Sequence, residues 1–277
     1  MDKILSGKTV AIDIKGQIKS YTEELKASGK SLKISSILVG DDGGSVYYQN
    51  FQEKLANSLG IDFEKIKLDE SISEENLKLK IEELNKDDSV NGIMLLLPLP
   101  KHIDEKKVIS YISPDKDIDC LTYINQGKLY AGHKKFIPCT PNSVVTILDS
   151  LNINLQGKEV VVIGRSNIVG KPVAALMLER NCTVTVCHSK TKDLQSVCQR
   201  ADILIVAIGI PNYIDSSYVK EGAIVIDVGT SSLNGKITGD VLLDDVIGKS
   251  SYMTKVPGGV GALTTTLLMK NVCEALK

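Results

Sequence analysis

Gly164-Arg165-Ser166-Asn167-Ile168-Val169-Gly170-Lys171-Pro172 stands between a β-branched run, Val160-Val161-Val162-Ile163, and an apolar one, Val173-Ala174-Ala175-Leu176-Met177-Leu178. Strand, glycine turn and helix, in that order, are how an open parallel α/β sheet presents a helix N-terminus to a nucleotide pyrophosphate. Gly164 allows a sharp turn, and Gly170 leaves room for close backbone approach. The spacing is not GxGxxG, so an ordinary strand-to-helix turn is the competing reading.

The residues that follow bear on which nucleotide is bound. A second β run, Thr183-Val184-Thr185-Val186, ends at His188-Ser189-Lys190-Thr191. In a nucleotide-binding βαβ unit this strand end faces the adenosine ribose, where a carboxylate accepts from the 2′-hydroxyl of NAD. No carboxylate occurs here before Asp193, whereas Ser189, Lys190 and Thr191 are present and Arg165 lies in the first turn. Cations and hydroxyls suit a 2′-phosphate, because a guanidinium pairs with phosphate through a planar fork. The expected cofactor is therefore NADP. The competing reading takes Lys190 and Lys192 as solvated loop charges.

Composition sets the outer bounds. The 277 residues suffice for two domains, and 43% hydrophobic with 24% charged residues is ordinary for a globular protein. A net charge of −1 gives no basic field for nucleic acid. No apolar stretch approaches the roughly 18 residues of a membrane span, and the N-terminus lacks a signal-peptide core. Six cysteines, scattered without CxxC pairs, and three histidines argue against a metal site and suit a cytoplasmic protein with reduced thiols.

Taken in order, the chain alternates helix and strand. Residues 8–28 read as an amphipathic helix with Val10, Ile14, Ile18 and Tyr21 on one face. Residues 32–39 read as a strand closed by Gly40-Asp41-Asp42-Gly43-Gly44. Ser45 is the expected N-cap of a helix carrying Tyr48, Phe51, Gln52, Leu55 and Leu59 on one side. A short strand over 61–68, a helix opened by Ser73 and a buried strand, Gly92-Ile93-Met94-Leu95-Leu96-Leu97, follow. This alternation predicts an α/β layer with a mostly parallel sheet. Lys116-Asp117-Ile118-Asp119 falls in a loop, where two carboxylates are commonly solvated or local turn formers. Pro138-Cys139-Thr140-Pro141 marks a break between domains. Beyond it, strands near Val160, Thr183, Ile203 and Ala223 build a second sheet, with Gly209, Gly229 and Thr230 at carboxyl ends where a cofactor groove would lie. Pro257-Gly258-Gly259-Val260-Gly261 then allows either close ligand approach or a flexible hinge.

Together these stretches resemble the FolD family, bifunctional methylenetetrahydrofolate dehydrogenase/methenyltetrahydrofolate cyclohydrolase. The resemblance spans nearly the whole chain. It rests on Ser45-x-x-Tyr48, Pro98-Leu99-Pro100, Lys116-Asp117-Ile118-Asp119, Pro138-Cys139-Thr140-Pro141, the Gly164–Pro172 turn, His188-Ser189-x-Thr191, Gly239-Asp240-Val241 and Pro257-Gly258-Gly259-Val260-Gly261. It implies two α/β domains with a cleft between them. Residues 1–138 would be the folate-binding domain, 139–262 a Rossmann-like NADP-binding domain, and 263–277 a C-terminal helix returning to the first domain. It further implies a homodimer built through the nucleotide domain, and NADP contacts at Gly164, Arg165, Ser166, Ser189 and Thr230, to which the strand-end position adds Gly209. Tetrahydrofolate derivatives would lie against Tyr48, Asp119 and the Pro257-Gly258-Gly259 loop, with Gln52 and Leu96 at the same site.

The departures from the family pattern bear on chemistry. The family's first-helix motif is Tyr-x-x-x-Lys, whose lysine is catalytic; four residues after Tyr48 stands Gln52. The family's strand carries a glutamine supporting that lysine, where this chain has Leu96. Lys54 lies about 200° around the helix from Gln52 and cannot substitute. Cys120 and Ala262 replace a usual glycine and proline. Hydride removal from the methylene bridge requires no protein proton transfer, whereas hydrolysis of the methenyl product does. The expectation is an NADP-dependent methylenetetrahydrofolate dehydrogenase, with Tyr48, Gln52 and Asp119 at the reacting centre and cyclohydrolase activity weak or absent. A fully bifunctional enzyme and a non-catalytic folate- or nucleotide-binding protein are the alternatives.

Overall fold

The computed structural model describes residues 3–233 and 235–276. The chain divides into two compact units. One comprises Ile14–Ile137 with the residues from Thr265 onward; the other comprises the residues up to Asp13 with Pro138–Thr264. Among the described residues no helix is long and apolar enough to cross a membrane.

The chain opens with β1 (Ile4–Leu5) and α1 (Gly7–Ala27) and continues through β2 (Lys33–Val39), α2 (Gly43–Ser58), β3 (Asp62–Leu68), α3 (Glu74–Lys86) and β4 (Gly92–Leu95). Two short helices follow, α4 (Glu105–Ile109) and α5 (Tyr123–Tyr130). The first unit's sheet is parallel in the order β3-β2-β4. Six of the seven β2 residues are buried, as befits a central parallel strand covered on both faces. Ile37, Leu77, Ile81, Ile93 and Leu95 close the core between this sheet and α3.

Two local expectations are corrected. Asp42, not Ser45, caps α2; its carboxylate accepts from the Ser45 amide at 2.8 Å and from the Ser45 hydroxyl at 2.9 Å. The buried face of α2 is Ser45, Gln49, Gln52 and Ala56, whereas Phe51 is 49% exposed. Of the expected face only Phe51 turns outward, while Gln52 and Leu59 are buried; Ser45 and Gln49 share the buried side because the underlying strand offers polar partners: Gln49 Nε2 donates to the Ser36 carbonyl at 3.0 Å and to its hydroxyl at 3.1 Å.

The second unit contains α6 (Cys139–Asp149), β5 (Glu159–Ile163), α7 (Gly170–Glu179), β6 (Thr183–Cys187), α8 (Leu194–Cys198), β7 (Ile203–Val206) and β8 (Ile224–Asp227). After these come β9 (Ser231–Leu233), β10 (Lys236–Thr238), α9 (Leu243–Val246), β11 (Tyr252–Thr254) and α10 (Gly261–Glu274). Its six strands run parallel in the order β1-β11-β8-β7-β5-β6. Val161, Leu204, Val225 and Met253 form the centre of its core.

The division differs from a unit starting at residue 1, because β1 pairs with β11 and the Lys3 carbonyl accepts from the Met253 amide at 2.8 Å. It falls within α1 and within α10. The last turns of α10 join the first unit, where Asn271 Nδ2 donates to the Ile118 and Ile137 carbonyls at 2.7 and 2.9 Å.

Candidate active site

The second unit gathers its predicted residues along one sheet edge. The chain passes from β5 outward to β6 and then back to β7 on the other side of β5, so the strand order reverses between β5 and β7. Ligands of open α/β sheets bind beyond the carboxyl ends at such a switch point. Register places Ile163 level with Cys187 and Val206, and Val206 level with Asp227. Ser189, Arg165, Gly209 and Thr230 therefore follow adjacent strand ends in that spatial order, and all four are exposed.

The turn at the switch point needs its glycines. Gly164 has φ +125°, and a Cβ there would lie 2.2 Å from the Ala207 carbonyl oxygen. A Cβ on Gly170 would lie 2.2 Å from the Gly164 carbonyl oxygen. Ser166 serves the turn internally: its hydroxyl accepts from the Val169 and Gly170 amides at 3.1 and 3.3 Å, and its carbonyl accepts from Lys171 at 3.1 Å. Pro172 has no amide to offer. The first amides of α7 are thus already occupied within the chain, while the side chains of Arg165 and Ser189 are exposed. Beside them, His188 and Thr191 close a small turn, the His188 amide donating to Thr191 Oγ1 at 2.9 Å.

Pro257-Gly258-Gly259 follows β11 at the same edge. It is not a loose hinge: the Gly7 amide donates to the Gly258 carbonyl at 3.0 Å, and a Cβ on Gly7 would lie 2.0 Å from the Gly259 carbonyl oxygen. Gly258 has φ +110°, and a Cβ there would meet Lys255 Cε at 3.7 Å, an ordinary contact.

Among the predicted residues of the first unit, Leu96 directly follows the carboxyl end of β4. The Leu96 amide donates to the Ile37 carbonyl at 3.0 Å, and the Ser45 hydroxyl at the start of α2 donates to the Leu97 carbonyl at 3.2 Å. Asp117 forms a parallel bridge with Ile93 beside the same strand. Tyr48 and Asp119 are half-buried. Gln52 is 0% exposed, and neither its Oε1 nor its Nε2 has a hydrogen-bond partner. Leu96 is 3% exposed. Lys54 is exposed, on another side of α2. A ligand would reach Gln52 only if the side chains covering it parted.

The two loop carboxylates separate into different roles. Asp117 is the local turn former: it is buried and accepts from the Leu121 amide, the Thr122 amide and Asn125 Nδ2, each at 2.9 Å. Burial raises its pKa above the ordinary carboxylate value, against the lowering effect of those hydrogen bonds. Three residues on, Cys120 adopts φ +57°, a backbone state glycine favours. Sequence reasoning gave no separate role to Asp117 or to Asn271, whose partners lie far off in the chain. It also gave none to Asp240, although the Gly239-Asp240-Val241 motif was legible.

Comparison with known proteins bears on both halves. Residues 138–277 match the tetrahydrofolate dehydrogenase/cyclohydrolase NAD(P)-binding domain, and residues 5–119 match the tetrahydrofolate dehydrogenase/cyclohydrolase catalytic domain. A bifunctional protein FolD of Clostridium perfringens is 78% identical over 276 residues, covering 100% of both chains. The crystal structure of a bifunctional FolD methylenetetrahydrofolate dehydrogenase/cyclohydrolase from Campylobacter jejuni superposes with a TM-score of 0.96 at 43% identity, over 98% of this chain and 97% of that one. That of the Trypanosoma brucei enzyme, complexed with NADP and an inhibitor, superposes with a TM-score of 0.92 at 33% identity, over 98% and 96%.

Proposed function

The chain belongs to the tetrahydrofolate dehydrogenase/cyclohydrolase family, and from that premise we propose that it oxidises 5,10-methylenetetrahydrofolate to the methenyl compound with NADP and hydrolyses that product weakly or not at all. NADP, when bound, supplies the hydride acceptor. The residues along the second unit's carboxyl edge fit it: glycine at 164 where a Cβ would collide, exposed Arg165, Ser189 and Lys190, and no carboxylate between Cys187 and Asp193. Arg165 and Ser189 would hold the 2′-phosphate, while Gly209 and Thr230 would line the remaining groove.

Tyr48 and Asp119 are the half-buried polar groups of the first unit that would meet the folate. Asp119 offers acceptor oxygens to the donors of the pterin amino group and ring nitrogen. Hydride loss is assisted by the lone pairs of the folate's own flanking nitrogens, so these side chains need only bind and orient. Hydrolysis makes a different demand. Water must attack the methenyl carbon, and protons must move as the adduct collapses, with general acid–base help worth roughly 10²–10⁴-fold.

The observation that carries the proposal is the state of Gln52. Its amide is neutral at working pH, sealed from solvent and without a partner, and it occupies the position where the family resemblance puts a catalytic lysine. Such a group neither takes a proton from water nor returns one. Leu96, at the position of that lysine's glutamine partner, adds no hydrogen-bonding group. The full bifunctional reading is favoured by the relatives, which are called bifunctional from 78% down to 55% identity. A non-catalytic binder is the reading from another class, and NADPH formation on methylenetetrahydrofolate separates it from either enzyme. A homodimer through the second unit is part of the proposal, supported by β6, an edge strand whose Val186 is 38% exposed.

The deciding experiment mixes enzyme, NADP and methylenetetrahydrofolate and follows the methenyl chromophore. It should accumulate and then decay no faster than in buffer. Enzyme-dependent decay at a rate comparable to NADPH formation would establish the bifunctional reading instead.

A further inference from the structure

Gly239-Asp240-Val241 plays no part in the chemistry above, yet it holds the most enclosed carboxylate of the second unit. Asp240 is 0% exposed. Its Oδ2 accepts from the Ile208 amide at 2.7 Å and the Gly209 amide at 2.9 Å, just beyond β7. Its own amide donates to Asp227 Oδ1 at 3.0 Å, and that oxygen also accepts from the Gly229 amide at 2.9 Å, just beyond β8. Asp227 Oδ2 accepts from the Val241 amide at 3.0 Å.

The two carboxylates are seated without slack. A Cβ on Gly229 would lie 2.3 Å from Asp240 Cγ and from Oδ1, and one on Gly239 would lie 1.9 Å from Asp227 Oδ2. Asp240 Oδ1 has no hydrogen-bond partner. An arrangement selected for stability alone would fill such a place with an apolar side chain, since an uncompensated buried carboxylate is costly. What the carboxylate does here is aim two consecutive amides at one point and hold Gly209 at φ +69°.

We propose that Asp240 is a positioning residue for the nicotinamide cofactor. Its carboxylate holds the Ile208–Gly209 backbone, and its backbone amide, through Asp227, ties it to the Gly229 backbone, so that two neighbouring strand ends form one fixed rim of the cofactor groove. The proposal rests on the NADP-binding reading of this edge. The tie is local. Independently of the carboxylate, the Asn212 amide donates to the Gly239 carbonyl and the Ile214 amide to the Asp240 carbonyl, each at 3.0 Å, and Ile214 forms a parallel bridge with Val241. Removing the side chain should therefore loosen residues 208–209 and leave the segment after them in place.

The test compares full-length wild type, Asp240→Ala and Asp240→Asn. NADPH affinity is read by fluorescence, together with KM for NADP, KM for methylenetetrahydrofolate and thermal midpoint. Asp240→Ala should weaken NADPH binding and raise KM for NADP roughly tenfold or more, with the folate KM little changed. Asp240→Asn keeps one acceptor oxygen and should shift both by about threefold. A merely structural role would lower the thermal midpoint and move both KM values together or neither, and either pattern overturns the proposal. Should the alanine variant not fold, Asp240→Asn decides alone, and an unchanged NADPH affinity overturns it. A wild-type chain that binds no NADPH overturns the cofactor reading and the proposal with it; equal binding by wild type and variant overturns the proposal alone.

Discussion

Position 52 is a place where a charge would be costly. Gln52 is fully buried, and nothing among the described residues bonds its amide. A lysine put there would bury an ammonium where no partner bonds the present side chain, lowering its pKa and destabilising the fold. Gln52→Lys alone should therefore restore little cyclohydrolase activity. Gln52→Lys with Leu96→Gln supplies a hydrogen-bonding neighbour, and decay of the methenyl chromophore should then exceed the combined effect of the single changes; simple additivity would refute the coupling. In the second unit, Arg165 is exposed and follows the β5 glycine turn. Arg165→Ala should raise KM for NADP far more than KM for NAD, because only the former has a 2′-phosphate to lose. Equal loss with both cofactors would mean that Arg165 supports the turn alone.

Two elements illustrate how local signals were obeyed or overridden. The turn between β5 and α7 behaves as its glycines require. Gly164→Ala places a Cβ against the Ala207 carbonyl at a positive φ, so both β5–β7 packing and NADPH binding should suffer. Gly157 is the control: it too has a positive φ, +76°, but an added Cβ meets nothing within 4 Å. Gly157→Ala should cost only about 1 kcal/mol in urea unfolding and leave NADPH affinity intact. Equal damage at the two positions would show that backbone conformation, not the Ala207 contact, governs the turn. In α2, by contrast, Tyr47 is 75% and Phe51 49% exposed, while Ser45, Gln49 and Gln52 face inward. Periodicity of apolar residues locates a helix's buried face only when what it packs against is apolar, and here Ser36 of β2 bonds Gln49.

For the whole molecule, the buried acid at the end of β8 ties stability to pH. Burial chiefly, with a smaller repulsion from Asp240, raises Asp227 from the ordinary 3.8 to about 6, although the amides of Asp240, Val241 and Gly229 pull it down. Between those values the folded chain holds a proton that the unfolded chain has released, so this group's contribution to stability falls as pH rises through the window. The rise corresponds to about 3 kcal/mol. Asp227→Asn cannot titrate. Its stability relative to wild type, measured by urea unfolding, should improve by up to that amount between about pH 4 and about pH 7. Parallel curves would show that Asp227 ionises normally in the folded chain.

By itself the sequence determined the alternation of helix and strand, the parallel sheets, the glycine turn after Ile163 and the carboxylate-free stretch on which the NADP reading rests. Each of these is written in neighbouring residues: β-branched runs, glycine spacing, and the absence of a carboxylate between Cys187 and Asp193. Tertiary structure alone decided the rest. Strand β1 is two residues long, too short for any periodicity, and exists because it pairs with β11 far along the chain. Asp117 and Asp119 look alike in a loop, and only the partners of Asp117 separate them. The isolation of Gln52 and the enclosure of Asp227 and Asp240 were equally illegible. Desolvation is set by every group packed around a side chain, and those groups come from segments that only the folded chain brings together.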